Sequence, residues 1–196
     1  MIRNNPTTEG RKERERAERR ARILAEARAL AEAEGWAAVT TRKLAQRIEY
    51  SQPVLYSHFA NMEAIVTAVA LEGAAELTAA MREARTGDCG PFGDTLAVAR
   101  AYQSFAATSP ALFEAMFTMP TSLEFGGPNS PQELVDAFVV LLETFSPMAG
   151  DRDPETFTEM AWSAIHGQVV LDLGGRLRPQ ERKRRMEMLV RALVGE

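Results

Sequence analysis

The sequence predicts an all-α protein with a helix-turn-helix near its N-terminus and a larger helical domain after it. Apolar residues recur at helical spacing along most of the chain, with neither strand-like alternation nor internal repeats. Between Thr40 and Val66, two short amphipathic segments are joined by about three residues, Glu49-Tyr50-Ser51, before a third helix begins. Two short helices that meet at a tight turn are the layout of a helix-turn-helix.

Length and composition indicate a soluble protein of one or two domains. The chain has 196 residues, of which 45% are hydrophobic and 26% are charged. Cys89 is the only cysteine, which excludes an intrachain disulfide and fits a reducing compartment. The sequence shows no secretory signal and no apolar run approaching about 18 residues, so we expect a cytoplasmic protein that does not enter a membrane.

The net charge of −4 conceals an uneven distribution. Residues 1–60 hold 12 Lys+Arg and 8 Asp+Glu, whereas residues 61–196 hold 11 and 19. A basic N-terminal third on an acidic remainder indicates that only the first part of the chain meets a polyanion.

The N-terminal segment is expected to be a disordered arm over residues 1–10, followed by a long helix over residues 11–34. Glu–Arg pairs four residues apart support this helix, and Gly35 suits its end. Its predicted buried stripe is Ile23, Ala27, Leu30 and Ala31. The charged run over residues 11–22 has two interpretations, a solvated helix face with alternating charges or a contact surface for a polyanion.

The two helices of the helix-turn-helix have recognisable caps. Thr40 or Thr41 suits the N-cap of the first helix. Ser51 suits the N-cap of the second, with Pro53 in the first turn, where its missing N–H costs little. The predicted buried residues are Leu44, Ala45 and Ile48 in the first helix and Leu55 and Phe59 in the second.

The rest of the chain predicts six further helices and two irregular stretches. The helices are expected at about 61–85, 94–108, 110–118, 131–145, 154–173 and 179–194. A loop is expected over residues 87–93, and a longer mobile one over residues 119–131, which hold three prolines and two glycines.

The stretch TTRKLAQR…S…LYSHFANMEAIV, which follows the long helix and Gly35, resembles the tetracycline-repressor (TetR) family of DNA-binding regulators. The resemblance covers about residues 17–66, and its most specific part is Leu55-Tyr56-x-His58-Phe59 after a capping serine. It implies a DNA-binding domain over residues 1–64 and an effector-binding and dimerisation domain over residues 65–196. A homodimer would place two recognition helices about one turn of DNA apart on a palindromic operator.

The resemblance also implies which residues meet DNA. Tyr56, His58 and the threonine at the start of the preceding helix correspond to positions that lie at the phosphate backbone in this family. Gln52 suits a bidentate contact with adenine, and Val54 suits contact with a thymine methyl group. The alternative is that Leu55 and Tyr56 mainly pack. The full predicted set is Thr40, Thr41, Arg42, Ser51, Gln52, Pro53, Val54, Tyr56, Ser57 and His58.

Two positions depart from the family pattern. The turn is Ile48-Glu49-Tyr50, where a small residue, a glycine and an apolar residue are usual. The loss of the glycine is expected to change the angle between the helices, and Glu49 would repel a nearby phosphate. Met62 stands where the family usually has a phosphate-binding lysine.

The C-terminal part resembles a sub-group of these regulators with a Trp-x-x-x-His-Gly signature. Trp162, His166 and Gly167 match that signature, and the segment from Tyr102 to Phe117 also resembles the sub-group. Trp162 and His166 share a helix face, so they either line a ligand cavity or pack a helix interface with His166 hydrogen-bonded inside. The predicted ligand pocket, for which core packing is the alternative, consists of Tyr102, Phe105, Phe113, Met116, Phe117, Met119, Phe138, Trp162 and His166.

The last two helices are expected to pair with their copies as a four-helix bundle, as the resemblance implies. The predicted interface residues are Leu171, Met186, Leu189, Val190 and Leu193. The function expected from these features is that of a repressor released from its operator by a small apolar ligand. An activator or a ligand-independent regulator is the alternative.

An enzyme or small-molecule carrier without DNA binding is a more remote alternative. Ser163 and His166 lack both a nucleophile elbow and an acidic partner. The two histidines and the single cysteine have no metal-ligand spacing, and no glycine-rich phosphate loop is present. We therefore expect no catalytic residue, no metal and no cofactor.

Overall fold

A computed structural model describes residues 8–87 and 89–195 of the chain. Within these ranges it contains nine α-helices, three short 3-10 helices and no β-strand, which confirms the all-α prediction. The α-helices are α1 Thr8–Glu34, α2 Thr41–Ile48, α3 Gln52–Tyr56, α4 Met62–Ala84, α5 Gly90–Thr108, α6 Pro110–Phe117, α7 Gln132–Phe145, α8 Pro154–Leu173 and α9 Arg182–Val194. The 3-10 helices are Trp36–Ala38, Ser146–Met148 and Pro179–Glu181.

Most helix ends lie within a few residues of their predicted positions, but two starts differ. Helix α1 begins at Thr8, so residues 8–10 of the expected arm are helical, whereas residues 1–7 lie outside the described part of the chain. Helix α5 begins at Gly90, so residues 90–93 of the expected loop are also helical. Pro91 fits there because its missing N–H falls in the first turn, where no intrahelical partner exists.

Helices α1 to α3 form a small unit, residues 8–61, which we call the head. Its fully buried side chains include Ile23, Ala27, Leu30, Leu44, Ile48 and Leu55. Two surface ion pairs join α2 to α1, Lys43–Glu34 at 2.6 Å and Arg47–Glu26 at 2.8 Å. Because these pairs are half-exposed, each contributes at most about 1 kcal/mol, so apolar burial holds the head together.

The remainder, residues 62–195, which we call the body, is joined to the head by direct contacts. The indole Nε1 of buried Trp36 donates to the carbonyl oxygen of Ala111 on α6 at 2.8 Å. Arg28 on α1 donates to both carboxylate oxygens of Glu76 on α4. The domain boundary expected after residue 64 lies in the first turn of α4, and the apolar core is continuous across it.

Helix α4 is the centre of the body and packs against α5, α6 and α7. A Cβ added at Gly73 would lie 2.9 Å from the Met116 sulfur, so the glycine permits the close approach of α6. By length and composition alone α4 is apolar enough to cross a membrane, although half of that stretch is buried within the protein. Burial against three neighbouring helices accounts for the same composition in a core helix.

Helices α8 and α9 cover the far side of the body, α8 against α7 and α9 against α5. The carboxylate of Asp172 on α8 is almost fully buried and pairs with Arg182 and Arg185 on α9. The two cations compensate the buried charge, because a buried carboxylate without partners is costly. This cluster fixes the last helix against the preceding one.

Candidate nucleic-acid interface and ligand cavity

Of the two caps predicted for the helix-turn-helix, only one forms a side-chain hydrogen bond. Thr40 is the N-cap of α2, and its Oγ1 accepts from the backbone N–H of Lys43 at 3.2 Å. Ser51 occupies the N-cap position of α3 with extended backbone, but its hydroxyl makes no capping hydrogen bond. The Ser51 hydroxyl is exposed and remains available to another molecule.

The turn between α2 and α3 keeps the backbone of a glycine although its residue is Glu49. Glu49 has φ 60°, the only positive φ of a non-glycine residue in the described chain. The N–H of Tyr50 donates to the carbonyl of Ala45 at 3.0 Å, which is the hydrogen bond of a Schellman ending. Glu49 therefore adopts the left-handed conformation of the usual glycine, at a strain of about 1–2 kcal/mol.

The predicted DNA-contacting side chains lie largely on the surface of α2 and α3. Tyr56 is 49% exposed, whereas Leu55 beside it is fully buried. The packing alternative therefore applies to Leu55 and not to Tyr56. The other exposed members of the set are Thr40, Arg42, Ser51, Gln52, Pro53 and Ser57, and the half-buried ones are Thr41, Val54 and His58.

The cations of the helix-turn-helix divide into paired and unpaired residues. Lys43 and Arg47 are held by the ion pairs to α1. Arg42 is exposed and has no ion pair or side-chain hydrogen bond within the described chain. Arg42 is therefore the cation of α2 that is available to a phosphate.

Three arginines of α1 extend the basic surface beyond α3. Burial lowers the pKa of His58, and the positive charges of Arg16, Arg19 and Arg20 lower it further. Arg20 also lies over the ring of Phe59, 4.3 Å from its centroid. The charged run of α1 thus brings cations to the end of α3, which favours the polyanion-contact interpretation for these residues.

The body contains a cavity of about 520 Å³ between α4, α7 and α8, roofed in part by the irregular segment over residues 118–131. Its inner wall is buried and includes Leu77 and Met81 of α4. Its mouth carries exposed side chains, among them Phe125 and Val135. A mostly apolar cavity of this size suits a small organic ligand.

Three hydrogen-bonded side chains lie at the cavity wall, where Tyr102 and Trp162 line the cavity and His166 does not. Trp162 Nε1 donates to the Tyr102 hydroxyl at 3.3 Å, and that hydroxyl lies 2.7 Å from His166 Nδ1. Burial raises the pKa of Tyr102 and lowers that of His166, which favours the neutral form of each side chain. The Tyr102 hydroxyl therefore joins the two side chains of α8, accepting from Trp162 and hydrogen-bonded to His166 Nδ1.

The structure divides the predicted pocket residues into two groups. Tyr102, Met116, Phe117, Phe138 and Trp162 line the cavity. The residues outside its lining are Phe105, Phe113, Met119 and His166. For His166 the packing alternative describes the observed state, because its ring is hydrogen-bonded and stacked on Phe113 at 5.5 Å.

Several lining residues were not predicted from the sequence. Leu77 and Met81 were missed because apolar residues of a buried helix look alike whether they meet a core or a void. Glu155 and Glu159 had a usable signal, since with Trp162 they are spaced by four and three residues on one face of α8.

The predicted dimer residues also fall into two groups. Met186 and Val190 are 0% exposed and pack in the core of their own chain, so their side chains are not at its surface. Leu189 and Leu193 are half-buried against the same core, and Leu171 is exposed. The exposed apolar side chains of α8 and α9 are Met160, Val170, Leu171, Leu173 and Met188.

Within the described residues, no group of three His, Cys, Asp or Glu side chains is placed to hold a metal ion. The fold and the exposed helix-turn-helix define a class, a helical DNA-binding regulator with a separate ligand-sized cavity.

Two family matches assign the chain within that class. Residues 23–69 match the family of bacterial regulatory proteins called the tetR family. Residues 95–193 match the tetracyclin repressor-like C-terminal domain. The chain therefore belongs to the TetR family and is a DNA-binding transcriptional regulator. The sub-group with the Trp-x-x-x-His-Gly signature stays a prediction.

Solved structures show the same fold. A TetR-family regulatory protein from Rhodococcus has a TM-score of 0.63 at 23% identity, covering 89% of this chain and 96% of that one. The TetR-family regulator PfmR from Thermus thermophilus has a TM-score of 0.62 at 18% identity, covering 89% of this chain and 95% of that one. A TetR-family regulator from Streptomyces coelicolor has a TM-score of 0.61 at 20% identity, covering 90% of this chain and 98% of that one. No curated protein matches the chain.

Proposed function

We propose that this protein is a homodimeric repressor that leaves its operator when a small, largely apolar ligand fills the body cavity. The observation that carries the proposal is the position of α4. One helix supplies the inner cavity wall through Ala74, Leu77 and Met81 and begins at Met62, six residues after α3 ends at Tyr56.

The coupling between cavity and head follows from the rigidity of that helix. Asn61 caps α4, with its Oδ1 accepting from the N–H of Ala64 at 2.8 Å, so α4 is ordered from its first turn. A ligand that pushes Leu77 away from α7 or α8 therefore also moves the start of α4, and with it α3. Ligand binding lowers DNA affinity if the ligand prefers the conformation with the wrong spacing between the two heads.

The DNA contacts follow from the side chains that reach the surface of the head. Gln52 and Val54 read bases in the major groove, while Arg42, Tyr56 and Ser51 contact phosphates. Arg16 and Arg19 of α1 add phosphate contacts beyond the end of α3. The exposed apolar side chains of α8 and α9, among them Leu171 and Met188, form the dimer contact.

The test is to sequence the genomic DNA fragments that the purified protein retains from its own organism. A palindromic site with half-sites about one or two helical turns apart is expected. Transcription from the neighbouring gene should rise when the gene for this chain is deleted. A fall in that transcription would make the protein an activator, and retention of no specific fragment would refute the assignment of α3 as a base-reading helix.

A further inference from the structure

The wall that α8 contributes to the cavity carries two carboxylates. Glu155, Glu159 and Trp162 lie on one helix face, and all three line the cavity. The walls from α4, α6 and α7 contain only apolar side chains. The cavity therefore has one acidic edge on an otherwise apolar and aromatic surface.

Neither carboxylate is neutralised by the protein. In residues 8–87 and 89–195, Glu155 and Glu159 make no ion pair and no side-chain hydrogen bond, and no lysine or arginine lines the cavity. Arg152, the cation just before α8, donates to the carbonyls of Met148 and Ala149 and lies over the Phe157 ring at 4.2 Å. Two negative charges are thus left at the mouth without a counter-charge.

Helix capping does not account for both acids. A carboxylate in the first turn of a helix is favoured by the partial positive charge there, and Glu155 has that position. Glu159 lies beyond the first turn, where this effect has faded. The cap itself is supplied by Asp153, whose Oδ1 accepts from the N–H of Thr156 at 2.8 Å. Neither the cap nor the helix dipole therefore accounts for Glu159.

We infer that the ligand of this cavity is an amphiphilic organic cation, with an apolar body of one or more rings and a positive group such as an ammonium. The inference rests on the proposed effector role of the cavity. The apolar body contacts Phe117, Phe138 and Trp162, and the positive group lies at Glu155 and Glu159. The face of the Trp162 indole adds a cation–π attraction. The same carboxylates disfavour anionic amphiphiles such as fatty acids.

The test compares two probes of nearly the same shape and opposite charge, tetraphenylphosphonium and tetraphenylborate, by titration calorimetry with the full chain. The phosphonium should bind about tenfold or more tightly than the borate. The double variant Glu155→Gln/Glu159→Gln should lose roughly tenfold in phosphonium affinity and should bind the borate no less tightly. Both substitutions are exposed and keep the side-chain size, so folding is retained.

Two controls locate the effect. Glu83→Gln/Glu114→Gln changes the net charge equally at exposed positions outside the cavity and should keep the probe preference. Phe138→Ala, in the apolar wall, should weaken both probes alike.

The outcomes separate this inference from the proposed function. Equal affinity for the two probes, a preference for the borate, or a preference unchanged in the Glu155→Gln/Glu159→Gln variant would overturn the cationic ligand. If Phe138→Ala still weakens binding in those cases, the cavity remains a ligand site. Absence of binding by both probes, or binding insensitive to Phe138→Ala, would refute the cavity as a site for such ligands and remove both proposals.

Discussion

The head leaves polar side chains without partners, whereas the body leaves apolar surface uncovered. In the head, Arg42, Gln52 and Tyr56 stand exposed on helices whose inner faces are closely packed. In the body, α4, α7 and α8 help to enclose a cavity of about 520 Å³. The outer faces of α8 and α9 also expose apolar side chains.

This difference predicts two kinds of recognition within one chain. Contacts between cations and phosphates depend on ionic strength, because binding releases counterions from DNA. Burial of apolar surface is nearly insensitive to moderate salt. Changes in salt, charge or packing should therefore affect the two regions in separate ways.

The largest expected effect is the salt dependence of DNA binding. If each dimer makes about 6–10 phosphate contacts, affinity for operator DNA should fall roughly 10³–10⁵-fold between about 50 and 200 mM salt. Dimerisation, measured by sedimentation over the same range, should change little. A flat DNA response would contradict the role of the head, and a salt-sensitive dimer would mean that charges rather than apolar side chains hold the body contact.

The next largest effect concerns the exposed apolar side chains of the body. Leu171→Glu/Met188→Glu should yield monomers and lower operator affinity by about 100-fold or more, since two half-sites no longer bind together. As a monomer, the variant should melt close to the temperature of the monomeric parent chain, because both substituted side chains are exposed. The matched control is Met186→Ala in the buried core, which should cost about 2–5 kcal/mol of folding free energy. A dimer that survives the double substitution would place the interface elsewhere.

Within the head, base reading and phosphate contact should be separable. Gln52→Ala should relax base choice at one position per half-site and cost about 1–3 kcal/mol there. Tyr56→Ala should weaken binding to all sequences without altering preference. Binding assays on a library of operator variants measure both effects. An unchanged preference in Gln52→Ala would show that this residue is not a base reader.

Met62→Lys should tighten DNA binding by supplying a phosphate contact at the start of α4. The slope of log affinity against log salt should steepen by about 1 per subunit with little change in base preference. Met62 is half-buried and packs against the core, so the lysine must extend its ammonium to solvent. Affinity at several salt concentrations is compared with thermal unfolding. An unchanged slope with a lower melting temperature would assign Met62 to packing instead.

The smallest expected effect is at the turn of the helix-turn-helix. Glu49→Gly should raise the free energy of unfolding by about 0.5–1 kcal/mol, since relief of left-handed strain exceeds the added entropy of an unfolded glycine. Gly35→Ala makes the opposite change, because it replaces a glycine that has φ 80° and ψ 160°. An added Cβ there would meet no atom within 4 Å, so only the backbone conformation opposes the substitution. It should destabilise the chain by about 1–3 kcal/mol. Denaturant unfolding measures the free energy of unfolding of both variants. A less stable Glu49→Gly variant would mean that the Glu49 side chain stabilises the fold by more than the left-handed backbone strain destabilises it.

The helical architecture was predictable because capping residues mark the ends of most elements. Thr40 before α2, Pro154 at the start of α8 and Gly174 after it act locally, and these ends fall at or within a residue of the predicted positions. The start of α5 was missed because glycines and a proline usually indicate a turn. In the first turn of α5, packing of the rest of that helix outweighs the weak local preference of these residues for a turn.

The site was predictable in the head and only partly in the body, for a geometric reason. The residues of α2 and α3 that face outwards are nearly contiguous in sequence, so one motif marks the whole surface. The cavity is assembled from five helices and a loop, and its members are apolar residues like those of the core. Helix α9 shows the same limit, because the sequence marks Met186 and Met188 as equally apolar while only the second is exposed.

The two tryptophans of the chain give it a pair of built-in optical reporters. Trp36 is buried where the head meets α6, and its N–H is bound to the Ala111 carbonyl, so its emission responds to separation of head and body. Trp162 lines the cavity, and its emission responds to occupancy of that space. In Trp162→Phe the remaining fluorescence comes from the junction alone. Comparing the two chains during ligand titration therefore times the arrival of the ligand against the movement of the head, without any added dye.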